Sequence, residues 1–456
     1  MSLAEDLGEV ATTAEPAQFE TFQKHMDRRW IEESLEVTGT ATIRRRRLPA
    51  EQVVWLVIGM AMFAMRSMKD LVASLDLAMP GKKSEVAPSA VTQARSRIGE
   101  APLAWLFARS GRAWGERSAD GLRWRGLSVL GMDMSTLRVA DSQENRDTFG
   151  GQSAGAKRGA SGYPMLRLLG LMVLRSHVLL AARLGPYKGS SEMSLARGIL
   201  DEIPDDSLMI MDRGYLNPAF LQGLEKCGKN RHWLTRAKKN TKWKVIHHQG
   251  PGDDLVELEL SAEARKKDSS LPETLWCRAV RYQRKGFQPQ TLLTSLLQPS
   301  LYPARELANL YHERWEIELG YGEVKTDMRN RQETLRSKTP QGVLQETWGL
   351  LTAYNLIRVE MEQVAAEAGV PPVRISFVMA MNLIQSEWMW CGVASPGTIP
   401  EKLRRMRTEV ARFVLPERRT ERSYPRAVKI KMSNYARKRP TTTSGGSTPT
   451  GSGGAK

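Results

Sequence analysis

Residues 127-LSVLGMDM-134 form a short apolar run, interrupted by serine and glycine, that has the length of a strand. Two further runs of this kind follow at 165-MLRLLGLMVL-174 and 177-HVLLAARLG-185. The segment 190-SSEMSLARGIL-200 has helical spacing, and 207-SLMIMD-212 is again a short apolar strand. Three strands, a helix and a further strand predict an α/β core that begins near residue 122.

Two of the predicted strands end in an aspartate, Asp133 in the first and Asp212 in the last. An apolar strand is buried on both faces, so a carboxylate at its end must be satisfied by a cap, an ion pair or a metal ion. The short motif 213-RGY-215 turns the chain directly after Asp212. Both aspartates are therefore candidate site residues.

The segment 303-PARELANLYHERWEIELGYGEVKTDM-328 has helical periodicity and many charges. If it forms one helix with about 100° between residues, four side chains lie within about 60° of one another; these are Tyr311, Arg314, Glu318 and Lys325. The other acids fall on the opposite face, where we expect solvated charges; these are Glu313, Glu316, Glu323 and Asp327. Glu318 is thus the one acid on the Tyr/Arg/Lys face.

Two explanations are open for Glu318. Its i,i+4 spacing from Arg314 is typical of a helical surface ion pair, which supplies only about 0.2–0.5 kcal/mol. Alternatively, it joins Asp133 and Asp212 in a two-metal site, where two hard cations about 3.5–4 Å apart promote phosphodiester cleavage. Carboxylates are the natural ligands of Mg²⁺. Because no Ser/His or Cys/His arrangement for acyl transfer is visible, we favour the metal site.

The chain of 456 residues is strongly basic, with 67 lysine and arginine residues against 50 acidic residues and a formal charge of +17. A field of this sign attracts an extended polyanion, so nucleic acid is the expected partner. The run 44-RRRR-47 is either a solvated basic face or an element that contacts phosphates; its members are Arg44, Arg45, Arg46 and Arg47.

Neither a membrane nor an oxidising compartment is indicated. The longest apolar run, 53-VVWLVIGMAMFAM-65, is shorter than the roughly 20 residues that span a bilayer, and it predicts a buried core helix. The three cysteines lie far apart without CxxC spacing, and the acidic N-terminus lacks the pattern of a secretory signal. A protein of the reducing cytoplasm is expected.

A known signature is reproduced by the spacing of Tyr311, Arg314, Glu318 and Lys325, which have two, three and six residues between them. The chain resembles the bacterial insertion-sequence DDE transposases with a Y-R-E-K signature, the insertion sequence four family, which is related to the transposon-five transposase. Asp133 in 131-GMDMSTLRVAD-141 looks like the first aspartate of that family, and Asp212 in 211-MDRGY-215 looks like the second. The resemblance covers about residues 125 to 365.

This resemblance implies an α/β RNase H-like catalytic core with a β-rich insertion, flanked by helical N-terminal and C-terminal regions. It further implies that Asp133, Asp212 and Glu318 are the catalytic residues. These three would chelate two Mg²⁺ ions per active site, with Mn²⁺ as a possible substitute.

The resemblance also implies DNA contacts. Tyr311, Arg314 and Lys325 are expected to hold phosphates near the transposon end. Arg213 is expected either near DNA or paired with a carboxylate. In related enzymes a tryptophan of the insertion stacks on a flipped base, and the candidates are Trp233, Trp243 and Trp276, each of which is alternatively an ordinary sheet aromatic. Trp243 is taken as the DNA-contacting candidate.

A transposase of this family is expected to bind terminal inverted repeats, cleave the DNA ends by two-metal hydrolysis and join the 3′-OH ends to target DNA. A hairpin intermediate is a finer expectation that rests on the insertion alone. We expect a homodimer in the synaptic complex, in a bacterial cytoplasm and associated with the nucleoid. The alternatives are a catalytically silent DNA-binding relative and an RNase H-type nuclease without strand transfer.

The predicted domains follow the changes in sequence pattern. They are a helical DNA-binding domain at 1–122, the first part of the catalytic core at 123–230, a β-rich insertion at 231–292, the second part of the core at 293–365, a helical and basic C-terminal domain at 366–437, and a disordered tail at 438–456. The tail is rich in Gly, Ser and Thr and cannot bury a core.

Overall fold

The computed structural model describes residues 25–41, 48–74, 86–152, 162–260, 265–266, 269, 271–284, 288–391 and 399–416. The arginine run 44–47 and the predicted tail 438–456 lie outside these residues. Within the described ranges, five helices precede the sheet, namely α1 (Arg28–Val37), α2 (Ala50–Met62), α3 (Met68–Ser74), α4 (Pro88–Ile98) and α5 (Ala101–Gly121).

Helix α2 contains most of the apolar run that predicted a core helix. All of its residues except Glu51 and Gln52 are buried, so the prediction is confirmed. No helix in the described part of the chain is both long and apolar enough to cross a membrane.

One mixed sheet contains all of the named strands, in the order β3-β2-β1-β4-β5-β9-β8-β7-β6. The β1–β4 and β4–β5 pairs are parallel, and the other neighbours are antiparallel. The strands are β1 (Ser128–Arg138), β2 (Met165–Val173), β3 (Leu179–Pro186), β4 (Ser207–Met211), β5 (Arg231–Arg236), β6 (Trp243–Gly250), β7 (Asp253–Glu259), β8 (Thr274–Tyr282) and β9 (Gln290–Thr294).

Strand β4 shows why the predicted strands are almost continuously apolar. Leu208 and Ile210 pack into the core that includes the N-terminal helices, whereas Met209 and Met211 pack into a second core on the other face. Successive side chains of a strand point to opposite faces, so a strand covered on both faces needs apolar residues at every position.

The helices among these strands are α6 (Gln143–Phe149), α7 (Glu192–Arg197) and α8 (Pro218–Lys226).

After β9 the chain returns to helices, and the longest of these is central to the first core. It is α11 (Pro340–Ala368), which follows α9 (Ala304–Leu310) and α10 (Trp315–Gly322) and precedes α12 (Phe377–Cys391) and α13 (Ile399–Ala411). Gly349 allows α11 to approach α2 closely, because an added Cβ would lie 2.6 Å from Val57 Cγ1 and 3.0 Å from the Val57 carbonyl oxygen.

Strands β6 to β8 extend the sheet away from β1. The connection is made by β5 and β9, in which Arg236 is the register partner of Leu292. Buried Arg278 of β8 donates to Asp253 of β7 at 2.6 and 2.5 Å and to the Tyr302 carbonyl at 2.6 Å. The extension is therefore continuous with the rest of the sheet and is fixed to the segment before α9.

Candidate active site

Asp133 and Asp212 are adjacent across two parallel strands. Met132 of β1 is the register partner of Met211 of β4, and each aspartate is the next residue of its chain. Since neighbouring strands lie about 4.8 Å apart, the two aspartates meet at the carboxyl end of β4. Both are partly buried.

Asp133 does not end its strand, so that expectation is wrong. Strand β1 continues to Arg138 because its second half pairs with β2, from Asp133 opposite Gly170 to Arg138 opposite Met165. Strand β4 has already ended at Met211. From Asp133 onward, β1 lacks β4 as a neighbour and becomes partly buried, which opens the space beside the carboxylate.

The segment 303–328 is not a single helix either. Helix α9 passes into a 3₁₀ turn at Tyr311–Arg314, α10 follows, and a π-helical turn occupies Glu323–Asp327. A 3₁₀ turn rotates the chain more per residue than an α-helix and a π turn rotates it less, so the two deviations have opposite signs. The four signature side chains therefore still approach one region of the sheet, as the contacts below show.

Tyr321 fixes α10 to the strand that contains Asp133. Its hydroxyl donates to the Asp133 carbonyl at 2.6 Å and accepts from the Gly170 N–H at 2.8 Å. A Cβ on Gly170 would lie 2.8 Å from the Tyr321 hydroxyl oxygen, so only glycine leaves room for this contact. Because Tyr321 follows Glu318 by one helical turn, the contact places Glu318 close to Asp133.

The Glu318 carboxylate accepts a hydrogen bond from Arg314 Nη1 at 2.9 Å. The helical ion pair that the sequence left open is therefore present. Within the residues that the structure describes, no three His, Cys, Asp or Glu side chains are close enough together to hold one metal ion. Asp133 and Asp212 are partly buried and Glu318 is exposed, and carboxylate oxygens of this kind are the donors that suit Mg²⁺.

The electrostatics of Asp133 favour a bound cation. The pKa of Asp133 is raised to about 6, chiefly by burial and also by the charges of Glu192 and Glu318, against the opposing effects of the Met134 N–H and the charge of Arg314. Such a carboxylate resists carrying its negative charge alone. A divalent cation at this position would relieve that cost.

The other two signature residues also face this region. The pKa of Tyr311 is raised to about 12, chiefly by burial and also by the charge of Asp212, against the opposing charge of Arg314. Lys325 Nζ donates to Ser135 Oγ at 3.2 Å, two residues after Asp133 on the same strand. The structure thus brings all four signature residues to the two aspartates.

Comparison with known proteins gives the family. A family model described as Transposase DDE domain matches residues 124–356, and one described as Insertion element 4 transposase N-terminal matches residues 16–108. Transposase InsG for insertion sequence element IS4, of Escherichia coli strain K12, is 37% identical over 412 residues, which are 90% of this chain and 92% of that protein. The chain belongs to the IS4 family of DDE transposases. It is a metal-dependent DNA transposase.

Two further similarities accompany this match. The IS4-family chain is 36% identical to the putative transposase InsZ of the same strain, over 51% of this chain and 76% of that protein. A solved synaptic complex of piggyBac transposase with hairpin DNA aligns with a TM-score of 0.42 at 12% identity, over 88% of this chain and 85% of that one.

In this IS4-family transposase, Glu192 lies near Asp133, and the sequence did not single it out. It is the first residue of α7, and its charge raises the pKa values of Asp133, Tyr215 and Tyr321. The only signal in the sequence was an acid in the first turn of a helix capped by Ser191, which is ordinary at helix N-termini. Tyr321 was also missed, because tyrosine on the inner side of a helix resembles any core aromatic.

The remaining candidates of this transposase differ in exposure. Arg213 is exposed in the turn after Asp212, and Trp243 is partly buried at the start of β6. Trp276 exposes 52% of its surface on β8. Trp233 is fully buried and donates from Nε1 to Glu225 Oε1 at 2.6 Å. It is therefore an ordinary sheet aromatic rather than a residue that stacks on a flipped base.

The acids expected on a solvated face of this segment are buried or partly buried, and that expectation is wrong. Glu316 is 8% exposed, and the Glu313 and Glu323 side chains are 30% and 15% exposed. All three contact basic side chains of the turn after β2 or of α11. A helical wheel separates two faces, but it cannot tell which face packs against the rest of the protein.

Proposed function

We propose that Asp133, Asp212 and Glu318 bind two Mg²⁺ ions, with Mn²⁺ as a substitute, and that this site cleaves the ends of an insertion sequence. The observation that supports this most directly is the adjacency of the two aspartates, together with the Tyr321 contact that holds the helix of Glu318 against Asp133. When bound, two such ions activate the attacking oxygen and stabilise the leaving one.

The residues around the carboxylates are proposed to hold DNA. When DNA binds, Arg314 releases the Glu318 carboxylate and binds a DNA phosphate instead. The Glu318 carboxylate is then free to bind the metal. Tyr311 and Lys325 contact neighbouring phosphates, as one hydroxyl and one cation beside a metal site can do. Further contacts are proposed for Arg213, Trp243 and the arginines Arg44, Arg45, Arg46 and Arg47.

The sheet supports an RNase H-like core as part of this proposal. Strands β1, β4 and β5 are parallel, β2 and β3 are antiparallel to their neighbours, and α11 covers one face. We propose the domain division given above, with 123–230 and 293–365 as the core, residues 1–122 as the DNA-binding region and 366–437 as a dimerisation region. Strand β5 pairs in parallel with β4, so we assign it to the core and begin the insertion after Arg236. A homodimer would hold the two ends of the element together.

The test uses the purified chain, Mg²⁺ and a labelled duplex taken from the end of the insertion sequence that encodes it. Wild type is expected to nick this duplex and join it to target DNA, and Glu318→Gln is expected to do neither. Denaturing gels also separate a hairpin end from an open one. Asp327→Asn is the matched control, because it removes a carboxylate from the same segment and should keep full activity. Cleavage by Glu318→Gln at the wild-type rate contradicts the proposed site.

A further inference from the structure

The turn between β2 and β3, residues 174–178, contacts two acids of the segment that contains Glu318, namely Glu313 and Glu316. Arg175 donates from Nε and Nη2 to the Glu313 carboxylate at 2.9 and 3.0 Å. His177 Nε2 lies 2.9 Å from Glu316 Oε2, and both side chains are almost fully buried. The turn is fixed to α11 in addition, because Asn355 bonds both the N–H and the carbonyl of Leu179 at 2.8 Å.

The partners of His177 define one tautomer. Arg358 Nη2 lies 2.7 Å from His177 Nδ1, and a guanidinium can only donate, so Nδ1 accepts. Nδ1 is occupied by the 2.7 Å bond from Arg358 rather than by its 3.4 Å contact with Glu323, so Nε2 carries the proton that is donated to Glu316. The imidazole forms a bridge from α11 to α10 in which each hydrogen bond has a fixed direction.

Glu323 anchors the other end of the same segment. Its carboxylate accepts from Tyr354 Oη at 2.9 Å and from Arg358. Burial alone would raise the pKa of Glu323, but the charge of Arg358 and the contacts with Arg358 and His177 outweigh it and lower the value to about 2. The two acids that flank Glu318 on this segment are thus both bonded to one buried network.

His177 has an uncommon backbone conformation in this network. Its φ is +65°, in the left-handed region that residues other than glycine rarely occupy because it has an energetic cost. The residue is also buried, so the conformation is not a relaxed surface turn. The contacts of the imidazole with α10 and α11 offset that cost.

Helix α10 needs such an anchor because it has only eight residues and lies between a 3₁₀ turn and a π turn. Glu316 and Glu318 are two residues apart, which is about 200° around the helix, so a bond to Glu316 sets the direction of Glu318. The same β2–β3 hairpin contains Gly170, the register partner of Asp133. We infer that His177 is a positioning residue that orients Glu318 toward Asp133 through its hydrogen bond to Glu316.

This inference rests on the proposed role of Glu318 as a metal ligand, and it is tested by metal affinity in the full chain. His177→Gly removes the imidazole and tolerates the positive φ. His177→Gln restores a side-chain N–H donor, because the glutamine amide nitrogen is separated from Cα by the same number of bonds as the histidine Nε2. His25→Ala is the matched control, because His25 forms a second buried pair with Glu360 on α11 at 2.7 Å.

Mn²⁺ affinity is measured by the paramagnetic resonance of free Mn²⁺, and DNA affinity is measured in EDTA on the labelled duplex. His177→Gly is expected to weaken Mn²⁺ binding on the order of tenfold, as loss of a partner behind a metal ligand does, with DNA affinity within about twofold of wild type. His177→Gln is expected to recover most of the Mn²⁺ affinity. If His177→Gly does not fold, Glu316→Ala tests the same hydrogen bond from its other partner, with the same expected loss.

Wild-type Mn²⁺ affinity in His177→Gly or Glu316→Ala overturns the inference, and so does an equal loss in His25→Ala. Glu318→Gln is measured in parallel to separate the two proposals. If Glu318→Gln binds Mn²⁺ and cleaves as wild type does, the proposed function fails. If Glu318→Gln is defective while His177→Gly is normal, only the positioning role fails.

Discussion

Asp133 is a charged group in a place that disfavours its charge. Its pKa is raised from 3.8 to about 6, chiefly by burial. The protonated form is therefore the one that the fold favours, and this contribution to stability is complete below pH 4 and is lost as the pH rises through about 6. At pH 8 without metal, the ionised carboxylate lowers the free energy of unfolding.

Asp133→Asn should consequently stabilise the metal-free protein at pH 8 while it abolishes cleavage. The expected gain is roughly 1–3 kcal/mol, since one pKa unit corresponds to about 1.4 kcal/mol. Thermal unfolding in EDTA measures it. The gain should shrink as the pH falls from 6 toward 4, and a lower unfolding temperature of the variant at pH 8 would contradict the account.

At the scale of elements, the catalytic helix α10 contains two glycines in different surroundings. A Cβ on Gly320 would lie 2.5 Å from Met172 Cε and 3.1 Å from Tyr354 Oη, whereas a Cβ on Gly322 would meet nothing within 4 Å. Glycine in a helix costs about 1 kcal/mol relative to alanine. At Gly320 the absence of a side chain allows β2 and α11 to pack closely against the helix. At Gly322 no described protein atom lies close enough to require glycine.

The two alanine substitutions should therefore change stability in opposite directions. Gly322→Ala is expected to raise the free energy of unfolding by about 0.5–1 kcal/mol. Gly320→Ala is expected to lower it by about 1–3 kcal/mol, because overpacking forces its neighbours to move. Urea unfolding of both variants checks this. Equal effects would show that helix propensity alone sets the stability of α10.

The sequence identified the candidate acids of the site, but it did not predict the side-chain contacts that hold the surrounding elements together. Asp133, Asp212 and Glu318 became candidates because each aspartate follows an apolar run and because one helical face was selective, although β1 continues past Asp133 to Arg138. The hydrogen bond of Tyr321 to the Asp133 carbonyl depends on a contact across 188 residues, which no local pattern encodes. The burial of Glu316 was missed for the same reason, since His177 comes from a distant turn.

At the scale of the whole molecule, Glu360 of α11 connects both ends of the described chain. It accepts from His25 at 2.7 Å and from Arg407 of α13 at 2.5 and 3.1 Å. Burial alone would raise the pKa of Glu360, but His25 and Arg407 outweigh it and lower the value to about 2. The stabilisation is therefore present above pH 4.5 and is lost as the pH falls toward 2.

Glu360→Gln is expected to lower the free energy of unfolding by roughly 3 kcal/mol at pH 7, because it leaves a buried cation without its counter-ion. Chemical denaturation measures the loss. Glu367→Gln is the matched control: Glu367 contacts the same arginine at 3.4 Å, but its side chain is 54% exposed, so its loss should cost less than about 1 kcal/mol. A difference from wild type that persists unchanged below pH 3 would argue against the ion pair.

The pairing of β5 with β9 has a consequence for how such a chain evolves. The chain leaves β5 at Arg236 and comes back opposite it at Leu292, so the two ends of the intervening segment are neighbours in space. A lineage can therefore lengthen, shorten or exchange that segment by genetic changes between two fixed points, while β4 and Asp212 keep their places. The extension and the strands around Asp212 can therefore change independently of one another.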